Sequence, residues 1–178
     1  FPYTTLFRSD AVAARKLDAF IVPRADEHQG EYVAPCSERL RWLTGFSGSA
    51  GLAVIAKRTA ALFVDGRYTV QVRQEAGHGL FQILESPDKR LSDWLQAELD
   101  KGAVVGFDPW LHTIGEIGQL TDALAPAKIR LRPATRNLID LAWGKERPGT
   151  PLAPVSPHPL KFAGADRKST RLNSSHER

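Results

Sequence analysis

The side chains best suited to chemistry lie in short polar segments between apolar runs. Arg67 follows a tight Asp65-Gly66 turn and precedes Tyr68. A guanidinium is always charged and holds a carboxylate or carbonyl oxygen in a planar fork. Arg67 is therefore our first candidate for substrate contact, with Tyr68 as its neighbour. The alternative is a structural arginine that pairs with Asp65 or with a backbone carbonyl.

Two histidines are the next candidates for substrate binding. His28 closes an Asp-Glu-His run, and His112 follows the Asp-Pro-Trp turn at 108–110. Imidazole changes its charge near neutral pH, so either side chain could hydrogen-bond substrate or carry a proton. The alternatives are a solvated loop around His28 and a hydrogen bond between Asp108 and His112 that orders the turn. The three adjacent polar residues 26–28 cannot all face one metal ion on regular backbone.

The loop GFSGSAG at residues 45–51 offers two further hypotheses, a serine nucleophile and a phosphate loop. A triad of Ser47 or Ser49 with a histidine lacks the strand, GxSxG turn and helix that expose such a nucleophile. A phosphate loop would need a lysine and a following helix, whereas an apolar strand follows here. Packing of small residues against a neighbouring backbone is the favoured interpretation.

Short apolar runs and stretches with apolar residues at helical spacing predict the strands and helices that carry these segments. We expect strands at residues 19–22, 52–56, 60–64, 80–84, 103–107 and 129–131, the second and third forming an antiparallel hairpin. We expect helices at residues 11–18, 67–76, 86–101, 113–125 and 138–143, and one capped by Ser37 that ends at Gly45. Alternation of strands and helices predicts an α/β sandwich with a mixed sheet.

The two ends of the chain fall outside every periodic pattern. Residues 1–9 and 166–178 resemble translated sequencing-library adapters, so we expect them to lie outside the fold. Residues 10–146 then suit one domain, and 147–165, which are rich in proline, predict an extended exit linker. A chain without methionine has no native start, so we expect a fragment of a longer protein.

Charge and composition disfavour several classes of function. The chain has a net charge of +4, but the set-aside ends hold five basic and two acidic residues, so the rest is near neutral. A near-neutral domain does not indicate nucleic-acid binding. The single cysteine, Cys36, excludes a disulfide framework, and no apolar run approaches the ~20 residues of a membrane helix. We expect a cytoplasmic protein with no membrane partner.

Several motifs together resemble a known family. They are FIVPRADEHQGEY, APCSERLRWLTGFSGSAG, ALFVDGRYTVQ, VGFDPWLHT, and RNLIDLAW followed by RPGTPLAPVSPHPLKFAG. In this order and spacing they resemble the N-terminal domain of the three-domain, cytosolic type of Xaa-Pro aminopeptidase, or aminopeptidase P. The segment VDGRY also resembles its counterpart in the creatinase and prolidase group.

The resemblance implies a ribonuclease-H-like α/β domain with a mixed sheet flanked by helices. It further implies a second similar domain and a C-terminal catalytic domain that binds two divalent metal ions, usually manganese, through two Asp, one His and two Glu. The implied reaction removes the first residue of peptides with proline second. This chain would hold no catalytic residue, but would support dimerisation and substrate access and place Arg67 near an active site, its own or a partner subunit's.

Two other functions remain open at this point. The same domain type occurs in pseudo-aminopeptidases that have become binding modules, and in prolidase or creatinase relatives. Intact metal ligands downstream in the parent would indicate an enzyme, and their loss a binding module. Trp110 lies beside a proline in a loop, which makes it the best candidate for contact with domains outside this chain.

Overall fold

The structure, a computed structural model, describes Val12 and residues 15–76, 79–86, 88, 90–157 and 159–163. Within those residues the strands are β1 Ala19–Pro23, β2 Gly51–Ala56, β3 Ala60–Asp65, β4 Gln82–Ser86, β5 Val104–Phe107 and β6 Arg130–Pro133. The α-helices are α1 Arg39–Thr44, α2 Thr69–Glu75, α3 Leu91–Glu98, α4 Ile114–Leu124, α5 Leu138–Trp143 and α6 Leu160–Ala163.

The strands form one mixed sheet in the order β4-β3-β2-β1-β5-β6. The β1–β2 and β2–β3 pairs are antiparallel, whereas β1–β5, β5–β6 and β3–β4 are parallel. Five strands therefore share one direction and β2 opposes them. This confirms the predicted α/β class with a mixed, ribonuclease-H-like sheet, and it confirms the predicted hairpin.

Both faces of the sheet are buried. Along β1, Phe20 and Val22 belong to a core on one face, while Ala19 and Ile21 belong to a core on the other. The first face is covered by side chains of α1, α2 and α5, which contribute Leu40, Val72 and Ile139. The second is covered by α3 and α4, which contribute Leu95 and Leu124. The strands alternate their side chains between these layers, as pleated strands must.

Two of the predicted helix boundaries are confirmed by their caps. The Thr113 hydroxyl accepts a hydrogen bond from the Glu116 amide while the Glu116 carboxylate accepts from Thr113 N, so a capping box opens α4. Helix α1 ends at Gly45, whose φ of 82° is the left-handed conformation that glycine adopts without strain.

The glycine-rich loop is a packing element, as predicted. A Cβ at Gly48 would lie 2.1 Å from the ring of Phe46, and one at Gly51 would lie 3.0 Å from the same ring. Phe46 itself is buried. The small residues therefore let the loop close over an aromatic side chain.

The prediction that Ser37 caps a helix is wrong. Ser37 lies inside a short 3-10 turn that Pro35 opens, and α1 starts after Glu38 without a side-chain cap. The fixed φ of proline favours starting a helical turn there, which moves the start of regular α-helix past Ser37.

Several other boundaries shift. Residues 86–101 form a shorter helix, α3, because Ser86 still belongs to β4, which starts at Gln82 rather than at residue 80. The helix predicted at residues 11–18 does not extend through residues 15–18. These residues form a turn in which Lys16 has a φ of 54°. Most of its earlier part lies outside the described residues.

The chain beyond α5 leaves the domain as an exposed segment. Residues 148–157 have no regular structure and are exposed, in line with a segment that proline keeps out of helices. The short helix α6 follows, which the sequence did not predict. Residues 1–9 and 166–178, the adapter-like ends, lie outside the described residues.

We predict that the substitution Gly48→Ala destabilises the domain by about 1–3 kcal/mol, because the new methyl group overlaps the Phe46 ring. Gly118→Ala is the matched control: Gly118 is exposed in α4 and its Cβ would meet nothing within 4 Å. We expect the control to be neutral or stabilising. Urea denaturation measures both, and equal effects of the two substitutions would contradict the packing role.

Candidate functional site

The candidate residues share one edge of the sheet. Five strands run in one direction, so their carboxyl ends meet at that edge, together with the amino end of β2. The loops after β1, β3 and β5 carry His28, Arg67 and His112 respectively, and the glycine-rich loop enters β2 there. Because neighbouring strands are about 4.8 Å apart, the ends of β3 and β5 are separated by roughly 14 Å. The candidates thus share an edge without forming one cluster.

Arg67 is held by Asp65. The Asp65 carboxylate caps the turn at Gly66–Tyr68 by accepting from the Arg67 amide at 2.9 Å. It also accepts from Arg67 Nε at 2.9 Å and from Nη2 at 3.3 Å. The Arg67 side-chain hydrogen bond holds the pKa of Asp65 below its usual value. The alternative role for Arg67, a structural arginine that pairs with Asp65, is therefore observed in this chain.

The same pairing leaves part of the guanidinium available. The Arg67 side chain is 68% exposed, and within the described part of the chain its Nη1 donates no hydrogen bond. Its guanidinium carbon lies 5.3 Å from the centre of the Tyr68 ring, within the range of a cation–π contact. Arg67 can thus hold an acceptor from outside without releasing Asp65.

Tyr68 is fixed by the glycine-rich loop. Its hydroxyl is hydrogen-bonded to Ser49 Oγ at 2.5 Å, and its ring meets Phe46 edge-on at 5.6 Å between centroids. The hydrogen bond with Ser49 lowers the pKa of Tyr68. Sequence reasoning identified Tyr68 but not Ser49 as its partner, because the two residues lie on different elements.

The serines of this loop have structural partners. Ser47 donates its amide and its hydroxyl to the Glu75 carboxylate, at 2.8 Å each, and Gln71 donates to Ser47 Oγ at 3.0 Å. The hydroxyl of Ser49 is engaged by Tyr68. Among the described residues neither serine contacts a histidine, so no nucleophilic triad forms here.

His28 lies in the solvated loop after β1. Its side chain is 82% exposed and its Nε2 lies 3.9 Å from a Glu27 oxygen. The buried carboxylate of Asp26 orders this loop instead, by accepting from the backbone amides of His28 and Gly30. His28 contacts none of the other candidates in the described part of the molecule.

His112 lies against the sheet rather than against Asp108. The alternative of a hydrogen bond between these two residues is not observed, and Asp108 accepts instead from the Trp110 amide at 3.0 Å and from Asn137 Nδ2 at 2.8 Å. The His112 ring meets Phe107 edge-on, and its buried Nε2 has no hydrogen-bond partner among the residues that the structure describes. Burial lowers the pKa of His112, against the opposing charges of Glu116 and Asp108.

Sequence reasoning missed a partly buried ion-pair network beside this edge. Arg39 donates Nε and Nη2 to the two oxygens of Asp140, at 2.7 and 3.0 Å, and its side chain is 7% exposed. Arg147 donates Nη1 to Asp140 at 2.9 Å and Nε to the Cys36 carbonyl at 2.7 Å. The partners are up to 111 residues apart. The one available signal was Asp140, an acid within the apolar helix LIDLAW.

The described residues contain neither a candidate metal cluster nor a candidate membrane span. No group of three or more His, Cys, Asp or Glu side chains there could hold a metal ion. No helix there combines the length and the apolar character needed to cross a membrane.

The fold and its polar edge define an α/β domain of the ribonuclease-H-like class. Residues 9–140 match the Creatinase/Prolidase N-terminal domain. The match covers more than half of the sequence, so the chain belongs to the creatinase/prolidase N-terminal domain family.

Similar proteins agree with this assignment. The chain is 40% identical over 153 residues to the "Probable Xaa-Pro aminopeptidase P" of Ajellomyces dermatitidis, covering 84% of the chain and 25% of the relative. It is 36% identical over 175 residues to Xaa-Pro aminopeptidase 2 of Sus scrofa, covering 95% and 26%. The chain thus spans about a quarter of the length of these curated relatives.

Solved structures give the same result. The X-prolyl aminopeptidase of Caenorhabditis elegans, a cytosolic enzyme with a di-nuclear active site, matches with a TM-score of 0.78 and 31% identity, over 97% of this chain and 29% of that one. The N-terminal domain of the cytoplasmic peptidase PepQ from Mycobacterium tuberculosis matches in fold, with a TM-score of 0.59 and 23% identity, over 79% of this chain and 98% of that one.

The buried imidazole of His112 leads to a pH prediction. Since its pKa is lowered in the folded chain, the unfolded chain takes up a proton first as pH falls below about 6.5, the ordinary histidine value. Stability is therefore lost as pH falls through that value towards the lower folded pKa.

We expect His112→Gln to reduce this loss between pH 7 and pH 5. The measurement is the urea concentration at which half the protein is unfolded, determined across that pH range for the variant and for wild type. The control His28→Gln removes an exposed histidine from the same edge. A His112→Gln variant that loses as much stability as wild type would contradict the assignment.

Proposed function

We propose that this chain is the non-catalytic first domain of a metal-dependent Xaa-Pro aminopeptidase. The observation that carries the proposal is the match of nearly the whole chain to about a quarter of each curated Xaa-Pro aminopeptidase compared above. The parent would remove the N-terminal residue from peptides that have proline second.

The cofactor belongs, in this proposal, to the part of the parent outside this chain. The related C. elegans enzyme has a di-nuclear active site. Two divalent ions, with manganese the usual metal, would be held in a C-terminal domain by two Asp, one His and two Glu ligands. This chain's own part is substrate access and assembly of a homodimer, in the cytoplasm, with the second and third domains as its partners.

Arg67 is the residue through which the domain would meet the peptide. Its Nη1 is available in the described structure, while Asp65 and Tyr68 hold the rest of the guanidinium. A peptide carbonyl or carboxylate is a suitable acceptor for such a fork. Tyr68 would line the same contact, and His28 and His112 would lie further along the edge as secondary substrate contacts.

The proposed domain limits are the ones that the sequence pattern indicates. The first domain occupies residues 10–146, and the linker at 147–165 carries the chain towards the second domain. The exposed side chains of Trp110 and Ile114, 75% and 95% accessible, would be covered when the other domains are present. Residues 1–9 and 166–178 would be foreign to the parent.

The chain alone should have no peptidase activity. We expect the purified chain, supplied with Mn²⁺, to show no turnover of a fluorogenic Xaa-Pro peptide, because the proposed metal ligands lie elsewhere. Turnover that rises with metal and disappears with a chelator would refute the proposal.

The substrate contact of Arg67 can be tested in the complete parent. Arg67→Gln should lower kcat/KM for a Xaa-Pro peptide by about ten-fold or more, the value of one charge-assisted hydrogen bond. Arg73→Gln is the matched control, since Arg73 is an exposed arginine on the adjacent helix α2. If both variants keep wild-type kcat/KM, Arg67 does not contact substrate.

A further inference from the structure

Ser49 connects Tyr68 to the loop that follows β1. The Ser49 hydroxyl lies 2.5 Å from the Tyr68 hydroxyl. The Ser49 backbone carbonyl accepts from Arg24 Nη1 at 3.2 Å, and the same nitrogen donates to the Glu31 carbonyl at 3.0 Å. The Arg24 side chain is largely buried, so it is a firm anchor. The backbone of Ser49 is therefore held by the loop after β1 while its side chain holds Tyr68.

The loop around Ser49 has little freedom to place this hydroxyl elsewhere. On one side, a Cβ at Gly48 would lie 2.1 Å from the Phe46 ring, so the loop backbone lies directly on that ring. Two residues before Ser49, the Ser47 amide donates to the Glu75 carboxylate at 2.8 Å and anchors the loop to α2. The hydroxyl of Ser49 is thus presented to Tyr68 by a backbone that is fixed at both sides.

Tyr68 is in turn the surface against which Arg67 lies. The Arg67 guanidinium carbon is 5.3 Å from the centre of the Tyr68 ring. Asp65 also holds this guanidinium, but that ion pair is exposed, and exposed pairs order a side chain only weakly. The ring supplies a second constraint through its cation–π contact. The ring itself is kept in place by the hydrogen bond to Ser49 and by its edge-on contact with Phe46.

We propose that Ser49 is a positioning residue for Arg67, acting through the Tyr68 ring. The hydroxyl of Ser49 fixes the ring, and the ring limits the directions in which the guanidinium can point. The glycine-rich loop then has a second role besides packing, because it sets the geometry of the substrate contact. This inference rests on the proposed function, in which Arg67 meets the peptide.

The first measurement follows Tyr68 in the full 178-residue chain and does not depend on peptidase activity. A ¹³C label at tyrosine Cζ reports ionisation of the phenol, and Tyr68→Phe assigns the resonance. The Ser49 hydroxyl, followed by the Ser49 amide, holds the pKa of Tyr68 below its usual value. We therefore expect this pKa to rise in Ser49→Ala and to stay lowered in Ser49→Thr, which keeps the hydroxyl. An unchanged Tyr68 pKa in Ser49→Ala would overturn the proposal.

The second measurement uses the complete parent and a fluorogenic Xaa-Pro peptide. Ser49→Ala should lower kcat/KM roughly three- to ten-fold, the range for losing one hydrogen bond, and Ser49→Thr should retain most of the activity. Ser49→Ala should have little further effect when it is combined with Arg67→Gln, because the guanidinium that it positions is then absent. Ser47→Ala is the matched control: it removes a hydroxyl from the same loop while the Ser47 amide still donates to Glu75, so kcat/KM should not change.

The outcomes separate this inference from the proposed function. A loss of kcat/KM in Arg67→Gln but not in Ser49→Ala would overturn the positioning role alone. Equal losses from Ser49→Ala in the wild-type and Arg67→Gln backgrounds would also overturn it, because Ser49 would then act on the fold rather than on Arg67. An Arg67→Gln variant with wild-type kcat/KM would overturn both the inference and the substrate contact on which it rests.

Discussion

The burial of β1 on both faces is the constraint on which the rest of the molecule depends. Because β1 pairs with antiparallel β2 on one side and parallel β5 on the other, it sets the directions of these two strands, from which the pairings of β3, β4 and β6 follow outward. The carboxyl ends of five strands then meet at one edge, where the polar loops lie. The domain thus separates a rigid apolar centre from a row of polar loops, which is where binding residues are commonly placed.

Two arginine–aspartate pairs at this edge differ in what they do. The Arg67–Asp65 pair is solvent-exposed, so it adds little to stability and acts by orienting the guanidinium. The Arg39–Asp140 pair is largely buried, and removing one partner would cost on the order of a few kcal/mol. Arg147 joins this second pair at the point where the chain leaves the domain, so the start of the exit segment is tied to α1 and α5.

Much of the fold could be predicted from local sequence, because short apolar runs, Gly45 and the cap at Thr113 each act over a few residues. The error at Ser37 came where a local signal had a competitor, since Pro35 opens a 3-10 turn there. At His112 one of the two alternatives, a hydrogen bond with Asp108, is not observed, since Asp108 accepts from the Trp110 amide and Asn137. Arg67 and Tyr68 were found from a motif. The hydrogen-bond partner of Tyr68, Ser49, and the Arg39–Asp140–Arg147 network required long-range contacts that no spacing rule reveals.

The central claim is that this domain lends a substrate contact to a catalytic site located elsewhere in the parent. The most direct measurement is a crystal structure of the complete parent with a non-cleavable Xaa-Pro peptide bound. The account predicts an Arg67 guanidinium nitrogen about 3 Å from a peptide oxygen, in the same or a partner subunit. An Arg67 that points to bulk solvent, with no peptide oxygen within reach in either subunit, would contradict it.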